Sequence, residues 1–282
     1  MKLVANGPGI GDGVALTGVV HAYRAARPSE PIDVVVAHPA LWDHNPDVTS
    51  VDLWLPQVHG GQRTFPQLDG DGMRQCAGQH ITQWMARTLG VEPPPLRAVR
   101  PYVYLTPAER RLTAGLDRYV TINAESAQWT VNRDWPLARW AQLVYALRTA
   151  GIFTIQIGSI KDSVLACDTD FRGEPLRAVA ALLAGAACHV SGITGSMWLS
   201  AAVQGRAVIV WSGREDPTVI AHPGHRIVLY RPPMGCAPCW AVAPCPHGRA
   251  VDFTWHKPCL DGVEVSEVAA AVLAVVAEAT AA

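Results

Sequence analysis

The chain has 282 residues and a mass of 30.3 kDa, with 49% hydrophobic and 17% charged residues. It is therefore long enough for one large or two modest domains, and too apolar for a disordered chain. Lys+Arg 23 against Asp+Glu 24 leaves a formal net charge of −1, which excludes the basic footprint of a dedicated nucleic-acid binder.

From the N-terminus, Leu3-Val4-Ala5 predicts a short strand, Val14 to Ala26 a helix, Ile32 to Ala37 a β-branched strand and Val51 to Leu55 a third. Met73 to Leu89 has helical spacing closed by Gly90. The stretch Val91 to Pro101, with Pro93-Pro94-Pro95, cannot continue a helix and reads as a connector. The alternation then restarts: strand Tyr119 to Ala124, helix Leu137 to Thr149, strand Ile152 to Ile157, helix Leu176 to Leu183, strand Cys188 to Val190, helix Ser196 to Val203, strands Ala207 to Trp211 and Ile227 to Tyr230. An Ala/Val-rich helix over 265–280 closes the chain. Strands alternating with helices predict an α/β protein of two tandem units with parallel sheets.

The N-terminus runs into glycines after a few apolar residues, so no signal peptide is expected. The uncharged run Ala178 to Gly205 contains His189, Gln204 and several Ser and Gly, and reads as helix, strand, turn and helix rather than a span. A soluble, cytoplasmic protein with no transmembrane segment is the expectation.

Asn6-Gly7-Pro8-Gly9-Ile10-Gly11-Asp12-Gly13 joins the first strand to the first helix, where backbone N–H groups and the helix dipole favour an anion. Its glycines do not follow G-x-G-x-x-G, and Asp33 begins the second strand where a ribose-binding acid would end it, so a dinucleotide fingerprint is not matched. Taken alone, Asp12 reads as a cap of the helix that follows.

Asp12 also belongs to a longer pattern. Gly11-Asp12-Gly13-Val14-Ala15-Leu16-Thr17 is followed by Pro28, by the strand Ile32-Asp33-Val34-Val35-Val36 and by Asn45-Pro46-Asp47-Val48. Later come Trp129 to Pro136, Gly173 to Ala187, the turn Ser191 to Ala202, and Pro233 to Trp240 with Cys245-Pro246. In this order and spacing the chain resembles glycosyltransferase family 9, the heptosyltransferase-like enzymes, over nearly its whole length.

The resemblance implies a GT-B architecture of two Rossmann-like domains facing a central cleft. Residues 1–105 would be the acceptor side, and 106–282 the donor side with a Cys-rich loop over 234–260. It implies an inverting, metal-independent transferase that moves a sugar, heptose included, from a nucleotide-diphosphate donor such as ADP-heptose to a hydroxyl of a glycan or protein. Asp12, flanked by Gly11 and Gly13 of the acceptor-side loop, would be the general base. Arg133 would take the place of the family's diphosphate-binding Lys. Gly158 and Ser159 would lie near the base, and Thr194, Gly195, Ser196 and Trp198 would form the donor turn. Here Ile193 and Trp198 replace the family's Asp and His, which motivates an alternative: a non-catalytic sugar-nucleotide-binding or assembly subunit. A sugar-nucleotide epimerase of the same fold would need further acid/base groups. The N-terminal half is short for the family, which points to a trimmed acceptor surface or to a homo-oligomer built around it.

Seven cysteines include three scattered ones, Cys76, Cys167 and Cys188, that read as small core residues. Cys236, Cys239, Cys245 and Cys259 cluster in one Pro- and Gly-broken segment. In a reducing compartment four such thiolates suit a closed structural zinc or iron site, with His247 and His256 as substitute ligands, and with free thiols or disulfides as the other readings.

Overall fold

The computed structural model describes residues 1–4, 9–55, 58, 76, 78–93, 95, 100–126, 130–230, 235–251 and 254–281. Trp129, Pro233 and the Asn6-Gly7-Pro8 part of the first turn lie outside the described residues, as does most of the stretch from Met73 to Ala77.

A first, parallel sheet is formed by β1 (Lys2–Val4), β2 (Asp33–Val36) and β3 (Ser50–Leu53) in the order β1-β2-β3. Helix α1 (Ile10–Ala26) crosses it and buries Val14, Leu16, Val19, Val20 and Tyr23. It begins a full turn before the expected Val14. Its N-cap is Gly9, so Asp12 lies within the first turn and is not the cap. Arg24 closes the other end, donating to Pro28 O, Glu30 O and Asp47 O. Helix α2 (Ile81–Thr88) is the described part of the expected Met73–Leu89 helix. Here His80 is the N-cap, its Nδ1 accepting from the Thr82 N–H at 3.3 Å.

Past the one-turn helix α3 (Pro107–Arg110), the second sheet has six parallel strands. They are β4 (Tyr119–Asn123), β5 (Phe153–Gln156), β6 (Thr169–Asp170), β7 (Cys188–Ser191), β8 (Ala207–Trp211) and β9 (His225–Leu229), in the order β6-β5-β4-β7-β8-β9. Between them run α4 (Leu137–Thr149), α5 (Leu176–Gly185), α6 (Gly195–Ala202) and the short α7 (Pro217–Ile220). Strands buried on both faces need continuous apolar runs, which β8 supplies as Ala-Val-Ile-Val-Trp. The Cys-rich segment, expected as irregular, contains an antiparallel hairpin of β10 (Arg249–Val251) and β11 (Thr254–His256), followed by α8 (Pro258–Asp261) and α9 (Val265–Ala281).

One face of the large sheet packs Val120, Ile122, Val190, Val208 and Val210 against Trp140 and Leu143 of α4 and Val268 and Val272 of α9. The other face shares a single apolar cluster with the first sheet, from Leu3 and Val34 through Trp198 to Ile209 and Trp211. The two halves are also tied by backbone bonds of the connecting segment, Tyr102 N–H to Thr17 Oγ1 at 2.7 Å and Val103 N–H to Ala202 O at 3.3 Å. Among the described residues no helix is long and apolar enough to cross a membrane.

Arg177 of α5 clamps this junction. It donates to both Glu109 oxygens at 2.5 and 2.8 Å, to Tyr104 O at 2.8 Å and to Ala40 O at 3.0 Å. Glu109 also closes a capping box with Thr106, and the Arg177 bond, with Thr106, holds its pKa down to about 2. Arg177→Ala removes several charge-assisted bonds at once and leaves carbonyls unpaired, so it is expected to lower unfolding free energy by about 2–3 kcal/mol. Urea unfolding at pH 7 checks this.

A second junction is made of aromatic rings. Trp198 of α6 meets His222 at 4.6 Å between ring centroids, and His222 meets His80 at 4.7 Å and His225 at 5.6 Å. His80 and His222 are buried and His225 is partly buried, and burial lowers His80 to about 3, His225 to about 4 and His222 well below its ordinary 6.5. The unfolded chain takes up protons below about pH 6.5 that the folded chain refuses, so the stability these groups supply is full above 6.5 and lost as pH falls through 4. Each histidine is expected to contribute up to about 1.4 kcal/mol per pH unit to that decline. Urea midpoints between pH 7 and 4.5 should fall steeply, and His222→Gln should make the acid limb shallower.

Candidate functional site

The strand order of the six-stranded sheet reverses at β4: the chain leaves it toward β5 on one side and returns to β7 on the other. In open parallel sheets a crevice opens beyond the carboxyl ends of the strands at such a point. Those ends are Asn123 of β4 and Ser191 of β7. From Ser191 the chain turns through Gly192, Ile193 and Thr194 into α6, whose N-cap is Thr194.

The start of α1 faces the start of α6. A methyl group placed on Gly195 would meet Ile10 Cβ at 3.0 Å, and one on Gly11 would meet Trp198 Cδ1 at 3.0 Å. Two helix N-termini therefore meet at the crevice, and neither carries a side-chain cap bond. Asp12 is the acidic residue of the α1 first turn, and α6 has none in its own.

Arg133 enters from the turn Val131–Arg133, where Thr130 Oγ1 accepts from the Asn132 N–H at 3.2 Å. Its Nε and Nη2 both donate to Glu215 Oε1, at 2.7 and 2.6 Å. The same oxygen pairs with Arg214, and the Arg214 and Glu215 side chains are fully buried. Burial lowers the Arg133 pKa from its ordinary value, Glu215 favours its charge, Arg214 opposes it, and Asp12 across the crevice favours it again. Asp12 and Arg133, contributed by the two halves, thus lie within electrostatic reach of each other. Gly192 sits directly under the turn, since a methyl there would meet Arg133 O at 3.1 Å.

The structure brings Gly11, Asp12, Arg133, Thr194, Gly195 and Ser196 to one place. Gly158 and Ser159 lie beside it, at the end of β5. Gly158 has φ +139°, and a Cβ there would fall 2.3 Å from Asp162 Oδ2 and 2.9 Å from Asn123 Nδ2, so this turn admits only glycine. Gly13 faces open space on the helix. Trp198 and Ile193 are both buried, 5% and 1% exposed, and the Trp198 indole faces Gly11, His80 and His222.

Sequence reasoning missed Asn123, His189, Arg214 and Glu215. Polar residues inside otherwise apolar strands, and a charged pair directly after β8, are the signals that could have found them.

The four clustered cysteines lie behind Arg133. Asn132 Nδ2 donates to Ala241 O at 3.0 Å and Ala243 O at 2.7 Å, its Oδ1 accepts from the Cys245 N–H at 3.0 Å, and Lys257 Nζ donates to Val131 O at 2.7 Å. Arg214 Nε donates to Ala241 O at 2.7 Å, and Gly213 touches Cys259 and Ala237. The Cys259 thiol is pushed up by burial first, and then by Cys245, Cys239 and Cys236. The other three thiols of the cluster thus lie within electrostatic range of Cys259. Among the described residues, however, no three His, Cys, Asp or Glu side chains are arranged to hold a metal ion. Cys76 and Cys188 are core residues, as expected, and Cys167 is half-buried against the second core.

No family model and no curated protein matches the sequence. Solved structures do. The ADP-heptose lipopolysaccharide heptosyltransferase II of E. coli is 13% identical with a TM-score of 0.71, the match covering 98% of both chains. A family 9 glycosyl transferase from Veillonella parvula is 12% identical with a TM-score of 0.67, covering 98% of this chain and 96% of that one. The dodecameric iron-containing heptosyltransferase TibC of enterotoxigenic E. coli, solved with ADP-D-β-D-heptose, is 15% identical with a TM-score of 0.65, covering 99% of this chain and 76% of that one. At these identities the likeness is one of fold, and the chain has the two-domain, Rossmann-like GT-B-type fold of those proteins.

Proposed function

We propose that the protein is an inverting glycosyltransferase that uses no catalytic metal and moves a sugar from a nucleotide-diphosphate donor to an acceptor hydroxyl. Heptose from ADP-heptose is the favoured donor, since heptosyltransferases are among the proteins of like fold. Residues 1–105 form the acceptor side and 106–282 the donor side. One observation carries this reading: Asp12 at the N-terminus of α1 stands across from the uncapped start of α6 and within reach of Arg133.

In this mechanism Asp12 takes the proton of the acceptor hydroxyl as its oxygen attacks the anomeric carbon. The bond from that carbon to the phosphate oxygen breaks, the electron pair leaves with the diphosphate, and the configuration inverts. Arg133 and the N–H groups of Thr194, Gly195 and Ser196 take up the charge that develops on the leaving group. Gly158 and Ser159 lie toward the nucleotide base, and Trp198 shapes the donor turn from behind. The acceptor is a hydroxyl of a glycan or a protein.

A second reading, a non-catalytic sugar-nucleotide-binding or assembly subunit, is favoured by the burial of Ile193 and Trp198. Asp12→Ala separates the two. For the enzyme, donor binding is retained while release of nucleoside diphosphate falls about 10²- to 10⁴-fold. Unchanged release removes Asp12 as the base. Arg133→Ala is expected to weaken nucleoside diphosphate binding about 10- to 100-fold, the cost of a lost charge-assisted contact, measured by calorimetry with ADP.

A structural zinc or iron at Cys236, Cys239, Cys245 and Cys259 is a separate proposal. It is supported by the donor chemistry and by the nearness of the four thiols, and it requires the loop to draw the sulfurs together on binding. Elemental analysis of purified protein should find one metal per chain, lost in Cys236→Ser. Metal-free protein with four titratable thiols would overturn it.

A further inference from the structure

Polar side chains run in a line beneath the start of α6. Thr121 and His189 are register partners on β4 and β7, and Thr121 Oγ1 lies 3.0 Å from His189 Nδ1. His189 Nε2 lies 3.0 Å from Ser196 Oγ. Ser196 Oγ in turn lies 2.9 Å from Asn123 Oδ1 and 2.7 Å from Thr194 Oγ1. Thr121 and His189 are fully buried, Asn123 and Thr194 nearly so, and only Ser196, at the crevice end, is half-buried.

Counting protons assigns a direction to the bonds of this line. Asn123 Nδ2 donates to Glu125 O at 3.3 Å and Ile157 O at 3.4 Å, so the amide atom turned toward Ser196 is the oxygen. A hydroxyl has one proton and two lone pairs. Ser196 gives its proton to Asn123 and must therefore accept from both His189 and Thr194. The tautomer that satisfies both hydroxyls carries the His189 proton on Nε2 and leaves Nδ1 to accept from Thr121 Oγ1, with the ring also lying against the Thr121 backbone carbonyl. Burial, followed by the nearby His225, holds the His189 pKa down at about 3, so this pattern persists through neutral and mildly acidic pH.

Thr194 is the N-cap of α6, yet its hydroxyl serves Ser196 and makes no cap bond to the helix. The first turn of α6 is thus held through its side chains, while its N–H groups face the crevice without a side-chain cap. We infer that His189 is a positioning residue: its Nε2–H, acting through Ser196 and Asn123, fixes the first turn of α6 in the orientation that binds the donor diphosphate. This rests on the donor reading above, and it assigns the anchoring role to a residue of the strand rather than of the turn.

The test uses the full chain and calorimetric titration with ADP, GDP and UDP, at a temperature where each variant is folded. His189→Phe fills the space and deletes the donor. Its affinity for the nucleotide that the wild type prefers is expected to fall about 3- to 10-fold, the worth of one hydrogen bond. His189→Gln, which can place an N–H near the former Nε2, should restore affinity to near the wild-type value, and Ser196→Ala should lose it as His189→Phe does. Independently, ¹⁵N NMR of the imidazole should show the Nε2–H tautomer with no titration between pH 5 and 8. If the wild type binds and His189→Phe binds equally well with only a lower Tm, His189 is structural and the inference falls while the donor reading stands. Titration of His189 near pH 6.5, or the Nδ1–H tautomer, also overturns it. If the wild type binds none of the three nucleotides, the donor reading itself fails and the inference with it.

Discussion

Two helices point their N-termini at each other across the seam between the sheets, and much of the molecule is arranged around that contact. Each N-terminus carries about half an elementary positive charge. Bringing Ile10 of α1 against Gly195 of α6 therefore sets like partial charges close together in a partly buried place. Glycine at 11 and 195 is what permits the approach, because a side chain at either position would strike Trp198 or Ile10. The repulsion must be offset by negative charge. Within the chain that charge comes from Asp12; beyond it, an anionic ligand between the helices would supply more.

Arg133 adds to the positive field, and the protein holds it there at a cost. Two arginines share one carboxylate, Glu215, and Asp12 across the crevice also favours the Arg133 charge. Such an arrangement is stable only if its geometry is enforced from outside. Asn132 does this, spending both of its amide protons and its oxygen on the backbone of the cysteine segment. Arg214 is tied to the same segment at Ala241. Whatever orders residues 236–245 therefore also orders the cation at the crevice. A preset cation of this kind suits a leaving diphosphate, since little reorganisation is needed when charge develops.

Much of the second half was legible in the sequence. The helix at Leu137–Thr149 and the strand at Ala207–Trp211 match their expected bounds, because an amphipathic period and a β-branched run leave few alternatives. The start of α1 was misplaced for a physical reason: Ile10-Gly11-Asp12-Gly13 has the composition of a turn, and only the tertiary demand for close helix approach makes it helical. The hairpin at Arg249–His256 was hidden by its short strands and broken composition. Asp12 and Arg133 stood out as charged residues in a recognisable order. Glu215 did not, since its partner Arg133 is 82 residues away and the adjacent Arg214 is the one local sign of it. His189 was marked as a polar residue in an apolar strand, but its partners Thr121 and Ser196 come from other elements and do not show in the local sequence.

Ile193 and Trp198, which stand where the family that the sequence resembles has Asp and His, have a structural consequence that bears on the proposed specificity. Both side chains are withdrawn into the apolar seam, where Trp198 fills the space between Gly11, His80 and His222. What remains at the mouth of α6 is a hydroxyl, a glycine and backbone N–H groups. Such groups recognise the charge and spacing of a diphosphate, but they carry no side chain that can distinguish one sugar or one base from another. In the proposed transfer, discrimination would then come from elsewhere in the crevice, from the end of β5 at Gly158-Ser159 for the base and from the first-sheet side around Asp12 for the sugar and its acceptor. The seam in turn trades polar readout for rigidity. A buried indole between the halves sets the spacing between the start of α1 and the α6 turn, and a general base at Asp12, as proposed, would gain from that fixed spacing.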